Sequence, residues 1–236
     1  MGTNQFVEKF PRLLFVDVET TGLDCKTNEV IEFGYVIYEL SIVTNKYVEV
    51  ESGDVFVKST EPLPTKIIEI TNITDELLEA EGISRQEFHT WLRGLMTREL
   101  TSLFGAYNAQ FDALFTQEEL RRATGNPEIV LANPMIDILT IYRDRYGFPH
   151  KLLNAIKLLQ VDGANTHRAI DDIRATYNVF VQLMRNRFNP MTYVNRFGYL
   201  RKWGMKTEKF AHITYIPQGF NGTKEVDKYN RGLQNE

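Results

Sequence analysis

The stretch that decides the fold is LLFVDVETTGLD, residues 13–24. Its first half is an apolar run of the kind that forms a buried strand. Two carboxylates, Asp17 and Glu19, interrupt it, and TTG (20–22) then breaks it. Side chains two apart on a strand point to the same face, so Asp17 and Glu19 project together. Two adjacent carboxylates repel, and burial raises the cost further. Two arrangements relieve this: strand curvature exposes both acids to Lys or Arg partners, or a divalent cation holds them.

Outward from this strand, EVIEFGYVIYEL and KYVEVESGDVFV are rich in Val, Ile, Tyr and Phe and read as two more strands. The spacing through SIVTN makes them antiparallel neighbours. The pattern then changes. TDELLEAEG opens on a capping Thr74 and closes on Gly82, and SRQEFHTWLRGLM opens on Ser84, so both read as helices. LTSLFGAYN is a short apolar strand. QFDALFTQEELRRATG is a helix ending on Gly125, NPMIDILTIYRDRYG and KLLNAIKLLQ are helical segments, and THRAIDDIRATYNVFVQLMRNRF is a long amphipathic helix. Three strands followed by strands interleaved with helices predict an α/β domain. Its sheet is mixed, antiparallel at its start and parallel later.

Composition narrows the class. Of 236 residues, 43% are hydrophobic, enough for a packed core. No apolar run approaches the roughly 18–20 residues that cross a membrane, and MGTNQFVEKFPR lacks a signal-peptide core. A single cysteine, Cys25, leaves no internal disulfide and fits a reducing, cytoplasmic setting. The net charge is −4 and is unevenly spread. From residue 190 onward there are 8 Lys+Arg and 4 Asp+Glu, leaving 19 and 27 for the remainder. An acidic body with a mildly basic tail carries no global nucleic-acid footprint. A polyanion partner would therefore need local positive charge or bound metal.

Two further acids stand at positions that suit a site. Asp112, in YNAQFDALF, falls in the first turn of a helix that directly follows a strand, the junction where α/β sheets place ligands. The helix dipole alone would also favour an acid there. In THRAIDDIRATYNVFVQLM, Ile173, Tyr177, Phe180, Val181 and Met184 form an apolar stripe. Asp171 points away from that stripe, and Asp172 lies on its flank, close to the sheet. His167 sits at the helix start, where a cap or a general base are both compatible with its position. Four carboxylates and a histidine at one sheet edge would be destabilising without metal. With two divalent ions about 3.5–4 Å apart they would form a phosphodiester-cleaving site. Carboxylate ligation without cysteine favours Mg²⁺ or Mn²⁺ over zinc.

FVDVETTGLD, YNAQFDALF and HRAIDDIRAT together resemble the three motifs of the DEDDh (DnaQ-like) 3′–5′ exonucleases, in the same order along the chain. IEFGYVIYE, ITNITDELL, MIDILTIYR and KLLNAIKLL resemble the family's connecting segments. The resemblance covers roughly residues 10–187. It implies a ribonuclease H-like fold, with an about five-stranded mixed sheet flanked by helices, and two-metal hydrolysis of nucleic acid. Carried over, Asp17, Glu19 and Asp172 would hold the cation that binds the attacking water, and Asp17 would bridge to a second one held by Asp112. His167 would be the general base. Thr20, Thr21 and Gly22, with Asn108 and Phe111, would contact the terminal nucleotide, although Phe111 is equally suited to a core role. Tyr107 stands where many relatives have His. Asp137 either supports the site from behind or is simply a helix N-terminal acid.

The resemblance implies an exonuclease domain over 10–188. The weak periodicity of 189–236 reads as a C-terminal aromatic and basic appendage, with a short strand at HITYI and a disordered polar end over the last dozen residues. Action on single-stranded or frayed DNA 3′ ends, of the proofreading or repair type, is the leading expectation. RNA 3′-end trimming, as in ribonuclease T, is the enzymatic alternative, and a catalytically silent nucleic-acid or polymerase-binding module is the third reading. The tail is a candidate contact for DNA, for a DNA polymerase or replisome subunit, or for a second copy of the chain. No membrane partner is expected, and the oligomeric state is open.

Overall fold

The structure is a computed structural model that describes residues 2–163, 168–185, 189–205 and 208–233. His167 lies outside the described residues. The strands are β1 (Arg12–Thr20), β2 (Val30–Ser41), β3 (Lys46–Phe56), β4 (Leu103–Ala106), β5 (Met135–Asp137), β6 (Arg196–Leu200) and β7 (Thr214–Gln218). The helices are α1 (Gly2–Lys9), α2 (Thr65–Thr71), α3 (Asp75–Glu81), α4 (Arg85–Arg98), α5 (Ala109–Thr124), α6 (Ile138–Arg145), α7 (Leu152–Leu159), α8 (Ala169–Met184) and α9 (Glu225–Leu233). None of the described helices is long and apolar enough to cross a membrane.

Five strands form one sheet in the order β3-β2-β1-β4-β5. β1 pairs antiparallel with β2 and parallel with β4, so the expected change of strand direction falls on either side of β1. The two faces of β1 bury different layers. Leu13 and Phe15 pack with Val36, Tyr38 and the residues of α8, while Leu14 and Val16 pack with Phe33, Ile37 and the residues of α4 and α5. Asp17 and Glu19 continue the α8-facing row, just beyond Phe15.

Local signals place the helices as expected. Ser84 and Glu87 form a reciprocal capping box on α4, and the Thr74 side chain accepts from the Leu77 N–H on α3. The left-handed Gly125 closes α5. The expectation for one segment fails. The segment from Asn133 is not helical throughout, because Met135–Asp137 pairs in parallel with β4 before α6 begins. A strand of three residues is too short to show a period of two, and its apolar residues merge with those of the helix.

α8 approaches β2 closely at Gly34. A Cβ built there would lie 2.7 Å from Ala169 Cβ and 3.1 Å from both the Ala169 carbonyl carbon and Ile173 Cδ1. The absent side chain therefore sets the seat of α8. The buried stripe of α8 runs through Ala169, Asp172, Ile173, Thr176, Phe180 and Leu183, while Val181 and Met184 are half-buried. The contact stripe is thus centred on small residues, and Asp172 sits within it rather than on its flank. Gly34→Ala is expected to cost about 1–3 kcal/mol by overpacking. It would lower the melting temperature by several degrees and slow any reaction that depends on Asp172. An unchanged melting curve would show that α8 can move away without penalty.

Residues 190–205 and 208–233 carry more regular structure than the composition suggests. The strand expected at HITYI (212–216) forms as β7, shifted to Thr214–Gln218, and pairs in parallel with β6. Of the polar end, expected to be disordered, Glu225–Leu233 forms α9. Val226 of α9 is fully buried, and its N–H donates to Asp144 Oδ1. Tyr193 donates to Asp144 Oδ2 at 2.8 Å, and Arg145 pairs with Asp227. One buried contact and a few polar ties suffice to fix a helix whose sequence is mostly polar. Phe197, Phe210 and Ile213 join the core layer on the α5 side.

Candidate active site

Four carboxylates from three distant segments line one cavity of about 220 Å³ at the end of β1: Asp17, Glu19, Asp112 and Asp172. Val18, Tyr107, Phe111 and Leu152 complete its wall. β1 supplies the first pair by its two-residue repeat. The β4–α5 junction supplies Asp112, whose Oδ1 accepts from the Val18 N–H at 3.1 Å. Gly34 lets the first turn of α8 bring in Asp172, which is 6% exposed, whereas Asp171 is exposed.

The electrostatics are those of a crowded anionic cluster. Burial pushes the Asp17 carboxyl well above its usual range, and the charges of Asp172, Glu32 and Asp54 push it further. Burial and Asp17 raise Asp112 likewise, against the Val18 N–H, which favours its charged form. Glu19 is pushed up to about 9 by burial first, then by Asp17, Glu32 and Asp172. Asp17 and Glu19 retain some exposure to the cavity, so solvent moderates these effects.

Among the described residues, no three His, Cys, Asp or Glu side chains stand in an arrangement that would hold a metal ion as they are. One Asp112 oxygen is turned to the strand backbone. The donor set nevertheless fits a hard divalent cation: four carboxylates, no thiolate, and one shared cavity.

The expected substrate-contacting residues divide into two groups. Asn108 and Phe111 line a larger neighbouring cavity, and Phe111 lines both. Thr20, Thr21 and Gly22 line neither. The Thr20 hydroxyl donates to the Gly22 carbonyl, and the Thr21 hydroxyl accepts from the Glu29 N–H. A Cβ on Gly22 would strike the Asn28 side chain at 2.6 Å. These three residues build the turn after β1. Tyr107 donates its hydroxyl to the His150 carbonyl and offers its ring to the carboxylate cavity. Asp137 both caps α6, accepting from the Leu139 and Thr140 N–H groups, and accepts from the Asn108 and Ala109 N–H groups. It thereby fixes the start of α5, from which Asp112 projects.

Glu32 was not anticipated. It lies opposite Glu19 on β2 and is fully buried. Arg168 donates from Nε to its Oε1 at 3.1 Å, reaches Asp54, and lies over the Phe56 ring. Glu32 Oε2 has no hydrogen-bond partner among the described residues. An acid inside the apolar run VIEFGYVI was the only sequence signal for it.

A family model described as Exonuclease matches residues 14–180, the span that contains all four carboxylates. The chain belongs to the exonuclease family. Its three motifs place it with the DnaQ-like 3′–5′ exonucleases, which are hydrolases that depend on divalent metal. Among the relatives of this exonuclease is the DNA polymerase III PolC-type of Mycoplasma genitalium, 30% identical over 228 residues. That match covers 93% of this chain and 14% of the relative. The PolC-type polymerase of Thermotoga maritima is 28% identical over 170 residues, 72% of this chain and 12% of the relative. The exonuclease thus spans about one-seventh of the length of these polymerases. In fold it is similar to the zinc-bound Escherichia coli exonuclease I–single-stranded DNA complex. The TM-score is 0.62 at 20% identity, over 75% of this chain and 41% of that one. Exonuclease I of Methylocaldum szegediense aligns with a TM-score of 0.52 at 20% identity, over 75% of this chain and 40% of that one. The shared architecture is the ribonuclease H-like mixed sheet.

Proposed function

We propose that the chain removes nucleotides one at a time from DNA 3′ ends, at single-stranded or frayed termini, releasing nucleoside 5′-monophosphates. The observation that carries this is the convergence of Asp17, Glu19, Asp112 and Asp172 on one cavity from three separate segments. The relatives' name, DNA polymerase III, supports DNA as the substrate, a proofreading role and a polymerase or replisome partner.

In this reading the carboxylates hold two divalent cations, Mg²⁺ or Mn²⁺. Asp17, Glu19 and Asp172 would hold one, and Asp112 with Asp17 would hold the other. The cations would supply an activated water and charge stabilisation for the departing 3′-oxygen. The chain's own residues do the rest. β1 holds Asp17 and Glu19 rigidly on one face. The Val18 N–H turns one Asp112 oxygen inward to the strand and leaves the other for the cavity. Phe111 and Tyr107 wall the cavity and limit water at the scissile bond. His167, beside Arg168, is placed in sequence to take the proton of the attacking water.

The test uses 5′-labelled DNA and RNA oligonucleotides with Mg²⁺, Mn²⁺ or EDTA. A ladder that shortens from the 3′ end of DNA, and that is abolished by EDTA, is expected. Faster shortening of RNA would reassign the substrate. Inactivity on both nucleic acids with both cations would overturn the reading.

A further inference from the structure

The larger cavity beside the carboxylates has a volume of about 760 Å³, within the roughly 300–1,000 Å³ of small-molecule sites. Its near wall is the start of α5, with Asn108 and Phe111. Its far wall is the C-terminal part of the chain: Phe197, Tyr215 and Trp203. Phe111 lines both cavities, so the two adjoin at this residue.

We propose that this cavity binds the unpaired bases that precede the terminal nucleotide, with Trp203 as a stacking wall. The proposal rests on the exonuclease reading above and adds a binding site to it. Three observations favour bases over other occupants. The wall is largely aromatic and apolar, and stacking on rings is how single strands are held without sequence preference. Its charges are mixed: Asp24, Asp137 and Glu208 offset Lys26 and Arg143, so it is no phosphate track. Arg143 is only 9% exposed, yet its Nε has no hydrogen-bond partner among the described residues. Its Nη1 is anchored on the Gly198 carbonyl at 3.0 Å, so a buried guanidinium with one unused donor stands behind the cavity wall.

The two walls are braced. Tyr215 donates to Gln110 Oε1 at 2.9 Å, Gln110 Nε2 donates to the Glu208 carbonyl, and Arg121 and Lys26 pair with the Glu208 carboxylate. Bases that enter must be unstacked and unpaired. The C-terminal segment would therefore confer selection for single strands, while the phosphates stay outside near the carboxylates.

The test uses the full chain in EDTA, where binding is read without turnover. The probes are a 5′-labelled oligothymidylate and versions lacking the base at the second or third position from the 3′ end. Removing one base should weaken wild-type binding about tenfold. Trp203 is 57% exposed, so Trp203→Ala should leave folding intact. It should bind the intact strand about tenfold more weakly and be indifferent to the missing base, and Trp203→Phe should restore both properties. With cation present, Trp203→Ala should raise KM and leave kcat unchanged. Wild-type affinity in Trp203→Ala, or an equal penalty for the missing base in both proteins, would overturn the site. A wild type that discriminates the missing base yet cleaves nothing would sink the hydrolytic reading and leave the site standing. Cleavage by Trp203→Ala at the wild-type KM would do the reverse.

Discussion

Asp17→Asn should reduce the exonuclease rate by at least about a thousandfold and, in EDTA, raise the melting temperature. Both effects come from one cause. Asp17 is held among Asp172, Glu19 and Asp112, and burial with like charge pushes its carboxyl up. Asparagine keeps the shape and removes the charge, so repulsion is relieved and cation affinity is lost. The pH dependence follows. A carboxyl raised in the folded state stabilises the fold below its unfolded pKa of about 4, and that contribution fades as pH climbs toward the folded value. For Glu19 the folded value is about 9. Cation-free wild type should therefore lose stability steadily from about pH 5 to 9, and Asp17→Asn should do so less steeply. Mn²⁺ at a hundredfold excess over its Kd should stabilise wild type by about 2.7 kcal/mol and the variant far less. Melting curves at several pH values, with and without Mn²⁺, check this. A variant that melts lower than wild type in EDTA would show that Asp17 is not under repulsion.

Asp172→Asn should likewise cost about a thousandfold in rate, whereas Asp171→Asn should stay within about twofold. The two residues are adjacent, but only Asp172 faces the cavity. Asp171 is exposed in the first turn of α8, where the helix dipole makes an acid worth about 0.3–1 kcal/mol of stability. Its loss should show in the melting curve and not in the rate. Equal losses of rate would mean that the helix presents a different face to the sheet.

The residues that were legible in the sequence owe it to local periodicity. A period of two put Asp17 and Glu19 on one face, and a period of 3.6 separated Asp172 from Asp171. The strand-then-helix change at Asn108 marked Asp112. What escaped depends on distant partners. Glu32 is held by Arg168, 136 residues away. α9 is fixed by Val226 and by its ties to α6, and its polar sequence shows none of this. β5 is too short to carry any pattern.

The sheet has a seam. β1 meets β2 through nine residue pairs but meets β4 through only three: Leu13–Leu103, Leu14–Phe104 and Phe15–Gly105. Gly105 fits there because a Cβ would press on the Phe15 ring at 2.8 Å. Asp17, Glu19 and Asp172 ride on the broad antiparallel side of this seam. Asp112, fixed through Asp137, rides on the narrow side. The separation between Asp112 and the other three carboxylates is thus set across three backbone pairs and one ring-to-glycine contact. A substitution on that line would retune the spacing of the carboxylates while leaving all four in the chain.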